Sequence, residues 1–425
     1  MNRSIAAFAL AVGASLVAAG AASAQNLVIT GARIITGTGQ VIERGSVVVK
    51  DGKITSVAAG PAGAVPKGAK LINATGMTVI AGYIDDHRHL IHGGRSDADA
   101  QKFLKEQAPT DMRELLESGV TTVQSGGDND AAILELKREI ERGEIKGPRI
   151  VASGQVPTAR MKSEEDIRAA VRRVKASGAD SIAEVHYPDK SPPARPTEQE
   201  TKNLAAGLDE AAKLGIPFQV HAVAPFAVIG AVRIGAKKLV HSPHFGWMSD
   251  AEAQEVKAAG AVVSSCTAFG TPLFDVYNHD NKPTFRDGAA WPKGVKDGEG
   301  NGREAGYKPV NGRTLFDNGV TYGYCTDTDF NASAGLAHEL KTLNLVFSPI
   351  DLVKIMGQNS ADFIDRGKDL GTLEVGKLGD IVVLKGNPLD GYWNFLTVKV
   401  VIKAGVVMVD RRGTSVGDKP VARAS

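Results

Sequence analysis

The chain has little cysteine. Cys266 and Cys325 are the only two in 425 residues, and neither lies in a Cys-x-x-Cys pair. That excludes a disulfide framework and a thiolate zinc site, so any metal must be held by histidine and carboxylate. An excess of one charge is also missing. Lys+Arg total 50 against 48 Asp+Glu, which leaves no basis for binding nucleic acid or an anionic surface. Aromatics are scarce at 5%, while glycines number 48; that balance suits an α/β protein with many tight turns. Beyond the N-terminus no apolar run is long enough to cross a bilayer.

What is present begins with a leader. Arg3 gives a positive start, Ile5 to Ala19 is apolar, and Ala22-Ser23-Ala24 forms an Ala-x-Ala cleavage site before Gln25. Residues 1–24 are therefore expected to be a secretory signal peptide. The mature chain is expected to be soluble, free of the membrane and exported to a bacterial periplasm or beyond. Such a compartment permits a disulfide between the two cysteines.

The mature chain then divides by pattern. Residues 26–80 read as short alternating strands, with a hairpin turn at Lys50-Asp51-Gly52-Lys53. From 81 to 366, short apolar runs alternate with helical stretches. Helices are expected at Ala108–Ser118, Ala131–Arg142, Glu164–Ser177, Glu198–Leu214, Asp250–Ala259 and Ala334–Leu345. Strands are expected at Met77–Ile84, Thr121–Ser125, Arg149–Ser153, Ser181–Val185, Pro217–His221, Lys238–His241, Ala261–Ser265 and Thr321–Cys325. Eight strands alternating with helices predict a (β/α)8 TIM-like barrel with its site at the carboxyl ends of the strands. Short strands return at the C-terminus, so 26–80 plus 367–412 should form one small composite β-sandwich domain, followed by a polar tail at 413–425. Thr271–Gly312 breaks the rhythm and is expected to be a lid over the mouth.

Histidines gather at predicted strand ends. His87 and His89 form His-x-His after an apolar strand, and residues two apart on a strand point the same way. Both can reach one metal ion, for which imidazole is a favoured ligand. His221 closes one later strand, His241 closes the next, and Asp327 follows the last. In a barrel all five converge on one rim.

In this order of ligands the chain resembles the amidohydrolase superfamily, and more closely its exported imidazolonepropionase- and prolidase-like members. Gly119-Val120-Thr121-Thr122-Val123 matches the family's GVTTV segment. Gly371 to Asp380 matches its G-x-[IL]-x-x-G-K-x-A-D return, with Gly379 in place of the usual Ala, and Asn387-Pro388-Leu389 follows. The resemblance implies metal-dependent hydrolysis of an amide, peptide-like or lactam C–N bond in a small-molecule or dipeptide-like substrate. It also implies a homo-oligomer and one or two divalent ions, zinc first. His87, His89 and Asp327 would bind the more buried ion. His221 and His241 would bind a second; in one-ion members His221 joins the first site and His241 holds the nucleophile or substrate. Asp327 would move the proton from water to the leaving group, and His241 would steady the oxyanion. Deamination of a heterocycle is the alternative reaction, although the family's glutamate after the strand-five histidine is absent from His221-Ala222-Val223-Ala224-Pro225-Phe226.

One departure stands out. Where two-ion members carry a lysine that becomes a bridging carbamate, this chain has Ala183, in Gly178-Ala179-Asp180-Ser181-Ile182-Ala183-Glu184. Three readings stay open: a one-ion site, a site bridged by Glu184 through a local bulge, or a ligand-binding homologue that has lost catalysis. On a regular strand Glu184 and His186 face the helices, although His186 could contact substrate. Asp85 is expected to orient a histidine. His92 and His244 are loop candidates, His279 lies in the lid segment, His338 reads as structural, and Asp329 could pair near Asp327.

Overall fold

The computed structural model of the chain describes residues 25–92, 96–158, 161–190, 193–268, 302–328 and 332–416. The leader, His279, Asp329 and most of the 271–312 segment lie outside the described residues.

The strands fall into two groups. The first comprises β1 (Leu27–Ile35), β2 (Val41–Lys50), β3 (Lys53–Ala59), β4 (Lys70–Asn73) and β5 (Thr78–Ala81). The second comprises β6 (Tyr83–Arg88), β7 (Val120–Ser125), β8 (Arg149–Val151), β9 (Ser153–Gly154), β10 (Ser181–His186), β11 (Phe218–His221), β12 (Lys238–Val240), β13 (Val262–Ser264) and β14 (Thr321–Gly323). The chain then returns to the first group with β15 (Ile381–Leu384), β16 (Val398–Lys403) and β17 (Val406–Asp410).

Both chain ends build one eight-stranded sheet, ordered β17-β16-β15-β5-β1-β2-β3 with β4 on β1. The seam is the antiparallel pairing of β15 with β5, Ile381 opposite Ala81 and Leu384 opposite Thr78. The turn between β2 and β3 is the hairpin expected at Lys50–Lys53, with Asp51 at φ 49° and Gly52 at φ 78°. Two positive φ values in a row are what a two-residue turn matched to strand twist requires. Alternate residues serve two cores. Val79, Ile381, Val383 and Val400 pack with Leu27 and Ile34. Ile80, Val382, Leu384 and Val401 pack instead against the helices of the second group. A strand buried on both faces has no polar alternation to show, as the run Ile381-Val382-Val383-Leu384 illustrates.

The second group is parallel. It forms a sheet β6-β7-β8 and a sheet β9 to β14 in order, with Ala152 alone between β8 and β9. Two backbone bonds tie the first strand to the segment after the last: Asp86 N–H to the Tyr324 carbonyl (2.9 Å) and Asp327 N–H to the His87 carbonyl (3.0 Å). Helices cover the outside. In Glu164–Ser177, Ile167, Ala170, Val171 and Val174 are buried at helical spacing, Ser163 with Asp166 caps the start, and Gly178 ends it. Among the described residues no helix is long and apolar enough to cross a membrane.

Three expectations need correction. Met77–Ile84 is not one strand. Thr78–Ala81 joins the composite sheet, Tyr83–Arg88 opens the parallel group, and Gly82 separates them; an unbroken apolar run cannot show a change of sheet, because both strands are buried. The helices Asp97–Glu106 and Pro225–Arg233 were not expected; the second is apolar all round and carries no amphipathic signal. Residues 302–312 of the lid candidate belong to a helix, Gly302–Asp317.

Cys266 and Cys325 form a disulfide between the ends of β13 and β14, closing 59 residues of sequence. Cross-linking a loop of that length restricts the unfolded chain and should stabilise the fold by about 2–4 kcal/mol. Reductant should therefore lower the urea midpoint of the wild type and leave the Cys266→Ser/Cys325→Ser double variant unmoved; equal midpoints with and without reductant would contradict the link.

Candidate metal centre

The inner cluster starts at the end of β6. His87 is fully buried. Its Nδ1 lies 3.4 Å from Gln219 Oε1. Its Nε2 is buried without a hydrogen-bond partner among the described residues. Gly126 leaves the space beside that nitrogen: a Cβ there would sit 2.8 Å from Nε2. His87 Nε2 and His89 Nε2 are each 3.4 Å from Asp327 Oδ1. Donors around a tetrahedral ion with bonds of about 2.05 Å stand about 3.3 Å apart. An orphaned buried nitrogen and this spacing fit a metal ion, and three groups of described residues bring ligand atoms within 4.8 Å of one another: His87, His89, Glu184; His87, His241, Asp327; and Glu184, His186, His221.

The outer cluster depends on a bulge in β10. Ile182 pairs with Phe218, but Val185, three residues on, pairs with Val220, only two residues on. The extra residue resets the alternation. Ile182 and Val185 both enter the apolar core, while Ala183, Glu184 and His186 all line the cavity at the carboxyl ends of the strands, about 1130 Å³ in volume. Glu184 Oε2 then lies 2.9 Å from His221 Nδ1, 3.2 Å from His241 Nε2 and 3.7 Å from His87 Nε2. The expectation that Glu184 and His186 face the helices is therefore corrected: the bulge turns both inward. The His186 and His221 rings stack in parallel, 4° apart, with centroids at 4.2 Å.

The charges interlock. Burial opposes ionisation of Glu184, but His221 and His87 outweigh it and hold the carboxyl well below its usual range. Asp327 is likewise lowered, with burial opposed by His241, His87 and His89. Burial works against a charged His89, yet Asp128 and Asp327 raise it to about 11. His241, buried and facing His221, is lowered to about 4.

A second layer holds these groups. Asp85 was expected to orient a histidine. Instead it accepts from the Thr326 N–H (3.1 Å) and hydroxyl (2.6 Å), and so fixes the residue before Asp327. His89 is backed by Asp128 (Nδ1 to Oδ1, 3.8 Å), which also accepts from the Leu90 and Ile91 N–H groups. Asp86 accepts from Ser264 and Ser360 and locks β6 to its neighbours. His241, Cys266 and Asp327 adopt φ of 75°, 45° and 46°, values that are costly for residues with a Cβ and that persist only where surroundings impose them. Gln219, Asp128 and Glu339 were not anticipated. Gln219 was readable, since it lies two residues before His221 on the same strand. Asp128 follows two glycines and carries no pattern.

The remaining histidines lie off the cluster or at its edge. His92 packs on Phe103, with ring centroids 5.2 Å apart, and lies 4.0 Å from Asp111. His244 Nδ1 is 3.3 Å from the Ser242 carbonyl. His338 lies on the helix Ala332–Leu343, and its carbonyl accepts from Thr342.

Histidines and carboxylates gathered at the strand ends of a mixed α/β fold are the donor set of a metal-dependent hydrolase. The chain belongs to the amidohydrolase family, whose model matches residues 78–276 and 306–414, and its chemistry is hydrolysis of amide C–N bonds. It is 24% identical to an imidazolonepropionase of Thermoanaerobacter pseudethanolicus over 82% of this chain and 86% of that one. Its fold is similar to that of a candidate prolidase from Bifidobacterium longum (TM-score 0.73, 23% identity, 92% and 97% of the chains covered). It is also similar to a Xaa-Pro dipeptidase with methionine bound in its active site (TM-score 0.72, 20% identity, 90% and 99% covered). These structural neighbours imply a TIM-barrel core.

The backing of His89 is testable. Asp128→Asn keeps the shape but removes the charge behind His89 and weakens the acceptor for two backbone N–H groups. Loss of such support typically costs a metal site 10–100-fold in affinity. Competition with a chromophoric chelator should show that drop, with the far-UV circular dichroism unchanged.

Proposed function

We propose that this protein hydrolyses a small amide, peptide-like or lactam substrate with two divalent ions, zinc suiting the donor set, and that Glu184 bridges them where relatives of the resemblance use a modified lysine. The observation that carries this reading is the position of Glu184 Oε2, within 3.7 Å of His87, 3.2 Å of His241 and 2.9 Å of His221. His87, His89 and Asp327 would hold the inner ion. His221 and Glu184 would hold the outer one, with His241 the next donor. Of the readings left open by Ala183, bridging through a bulge is the one that this geometry favours.

A bound divalent ion lowers the pKa of water to about 7 and polarises a carbonyl. The chain's own part is positioning and proton transfer. Asp327 accepts the proton of the attacking water and delivers it to the leaving nitrogen, so that amide and water become carboxylic acid and amine. Its carboxylate is suited to this because Asp85 and Thr326 hold the backbone beside it. The cavity is lined by His89, Asp97, Asp128, Glu184 and His186, enough room for a dipeptide-sized molecule. The two parallel sheets are read as one closed (β/α)8 barrel, supported by the backbone bonds between β6 and the end of β14. Export is proposed from the leader pattern, and a disulfide suits an oxidising compartment.

A carboxylate bridge needs no carbon dioxide. Apoprotein reconstituted with zinc in bicarbonate-free buffer should take up two equivalents and recover the same hydrolysis of N-acyl amino acids or dipeptides as in bicarbonate. Glu184→Gln should lower kcat at least a hundredfold, and Ala183→Lys should not raise it. A bicarbonate requirement, or full activity in Glu184→Gln, would refute the bridge.

A further inference from the structure

A second cavity, about 810 Å³ in volume, lies at the other end of the parallel strands. Arg149, Ser181 and Lys238 line it and are the first residues of β8, β10 and β12, whereas His221 of the metal centre is the last residue of β11. The facing wall comes from the composite sheet, with Lys403 at the end of β16 and Val406 and Met408 on β17. The two cavities share no lining residue. The volume is that of an ordinary small-molecule pocket.

Most charges around this cavity cancel in pairs. Lys137 holds Asp180 at 2.8 Å, Lys238 holds Asp365 at 3.0 Å and Arg366 holds Asp369 at 3.0 Å. Glu141 and Lys146 are exposed and of opposite sign. What remains is two cations beside one carboxylate. Asp380 accepts from Arg149 at 2.7 and 3.4 Å and from the Ala404 N–H at 2.7 Å, so both of its oxygens are engaged. Lys403 donates instead to the Gly147 carbonyl at 2.6 Å. Burial and the neighbouring Arg149 lower its ammonium to about 8, against the pull of Asp380. A partly buried cation with a carbonyl for company is poorly compensated. Gln124 also lines the cavity and is 1% exposed. Its amide donates to Ser181 Oγ at 2.8 Å, while its Oε1 is buried with no hydrogen-bond partner among the described residues. The rest of the lining is largely apolar, with Ile145 and Ile150 facing Val406 and Met408.

We propose that this cavity is a binding site for a small organic acid with an apolar body. The carboxylate sits against Lys403 and Arg149 and supplies the second negative charge that the two cations lack. The body covers Ile145, Ile150, Val406 and Met408. A hydroxyl or N–H on the ligand meets the open acceptor of Gln124. Inorganic phosphate would match the charge and leave the apolar walls bare. A neutral apolar molecule would leave Lys403 as it is.

The probe is para-hydroxyphenylacetate, which carries all three features; its alcohol counterpart, tyrosol, lacks the charge. Titration calorimetry on the metal-loaded protein should show saturable binding of the acid, at least tenfold weaker in Lys403→Met and unchanged in Glu184→Gln. Tyrosol should bind at least tenfold more weakly than the acid. Because a carboxylate can also meet the metal centre, a second readout is local. Mild acetylation followed by peptide mapping should find Lys403 modified in the free protein and protected by the acid. Turnover of Lys403→Met should stay at the wild-type value. Circular dichroism checks folding, and Lys403→Gln replaces the methionine variant if that one is disturbed. Absence of saturable binding, equal affinity in wild type and the Lys403 variant, weakened binding in Glu184→Gln, tyrosol bound as tightly as the acid, or unprotected Lys403 would each overturn the site.

Discussion

Two carboxylates buried at one rim set the terms for the rest of this molecule. Glu184 and Asp327 are 14% and 5% exposed in their side chains. An isolated buried carboxylate would cost many kcal/mol and would neutralise instead. Here both are held ionised by imidazoles within about 4 Å, and the same imidazoles present lone pairs to an ion when they lose their protons. Charge balance among protons, histidines and a divalent ion therefore decides both the stability of the strand ends and the chemistry. His87 illustrates the compromise: burial opposes its charge, Glu184 and Asp327 favour it, and its Nε2 has no hydrogen-bond partner among the described residues.

The surrounding layer explains how such a rim stays in place. Glu339, fully buried, accepts from the Ser265 hydroxyl (2.7 Å), the Thr267 N–H (2.9 Å) and hydroxyl (2.7 Å), and the Ala268 N–H (2.6 Å). It grips the segment that carries Cys266, whose disulfide partner lies two residues before Asp327. Asp85 holds Thr326 from the other side. Asp327 is thereby fixed by a carboxylate, a covalent link and a backbone bond to His87, which together hold it at a left-handed φ that Asp visits only occasionally.

Much of this was legible before any coordinates. His87, His89, His221, His241 and Asp327 were marked by their place after apolar runs, and the structure gathers all five. The alternation of short strands with capped amphipathic helices was readable because Ser163, Thr197 and Ser249 each begin a helix with an acid three residues later. Three things were not readable. The change of sheet at Gly82 is hidden because the apolar run continues through it to Ile84 and both flanking strands are buried. Asp128, Asp85 and Glu339 act through contacts between residues far apart in sequence. The bulge in β10 is the deepest loss, since it depends on how Ile182 and Val185 share one core and has no local signature.

That bulge also changes what the missing lysine means. Read on a regular strand, Ala183 removes the bridge and Glu184 is an outward surface carboxylate; the natural conclusion is a reduced or silent site. One inserted residue instead sets Glu184 beside His221, His241 and His87. Ala183 still faces the cavity, beside Gly127, whose added Cβ would lie 3.2 Å from it. Glu184 reaches the histidines because the bulge turns it to the cavity side of the strand. A carboxylate built into the strand is permanently charged at neutral pH, whereas a lysine must first react with carbon dioxide. The extra residue between Ile182 and Val185 is what brings Glu184 and His186 together to the cavity side of the strand.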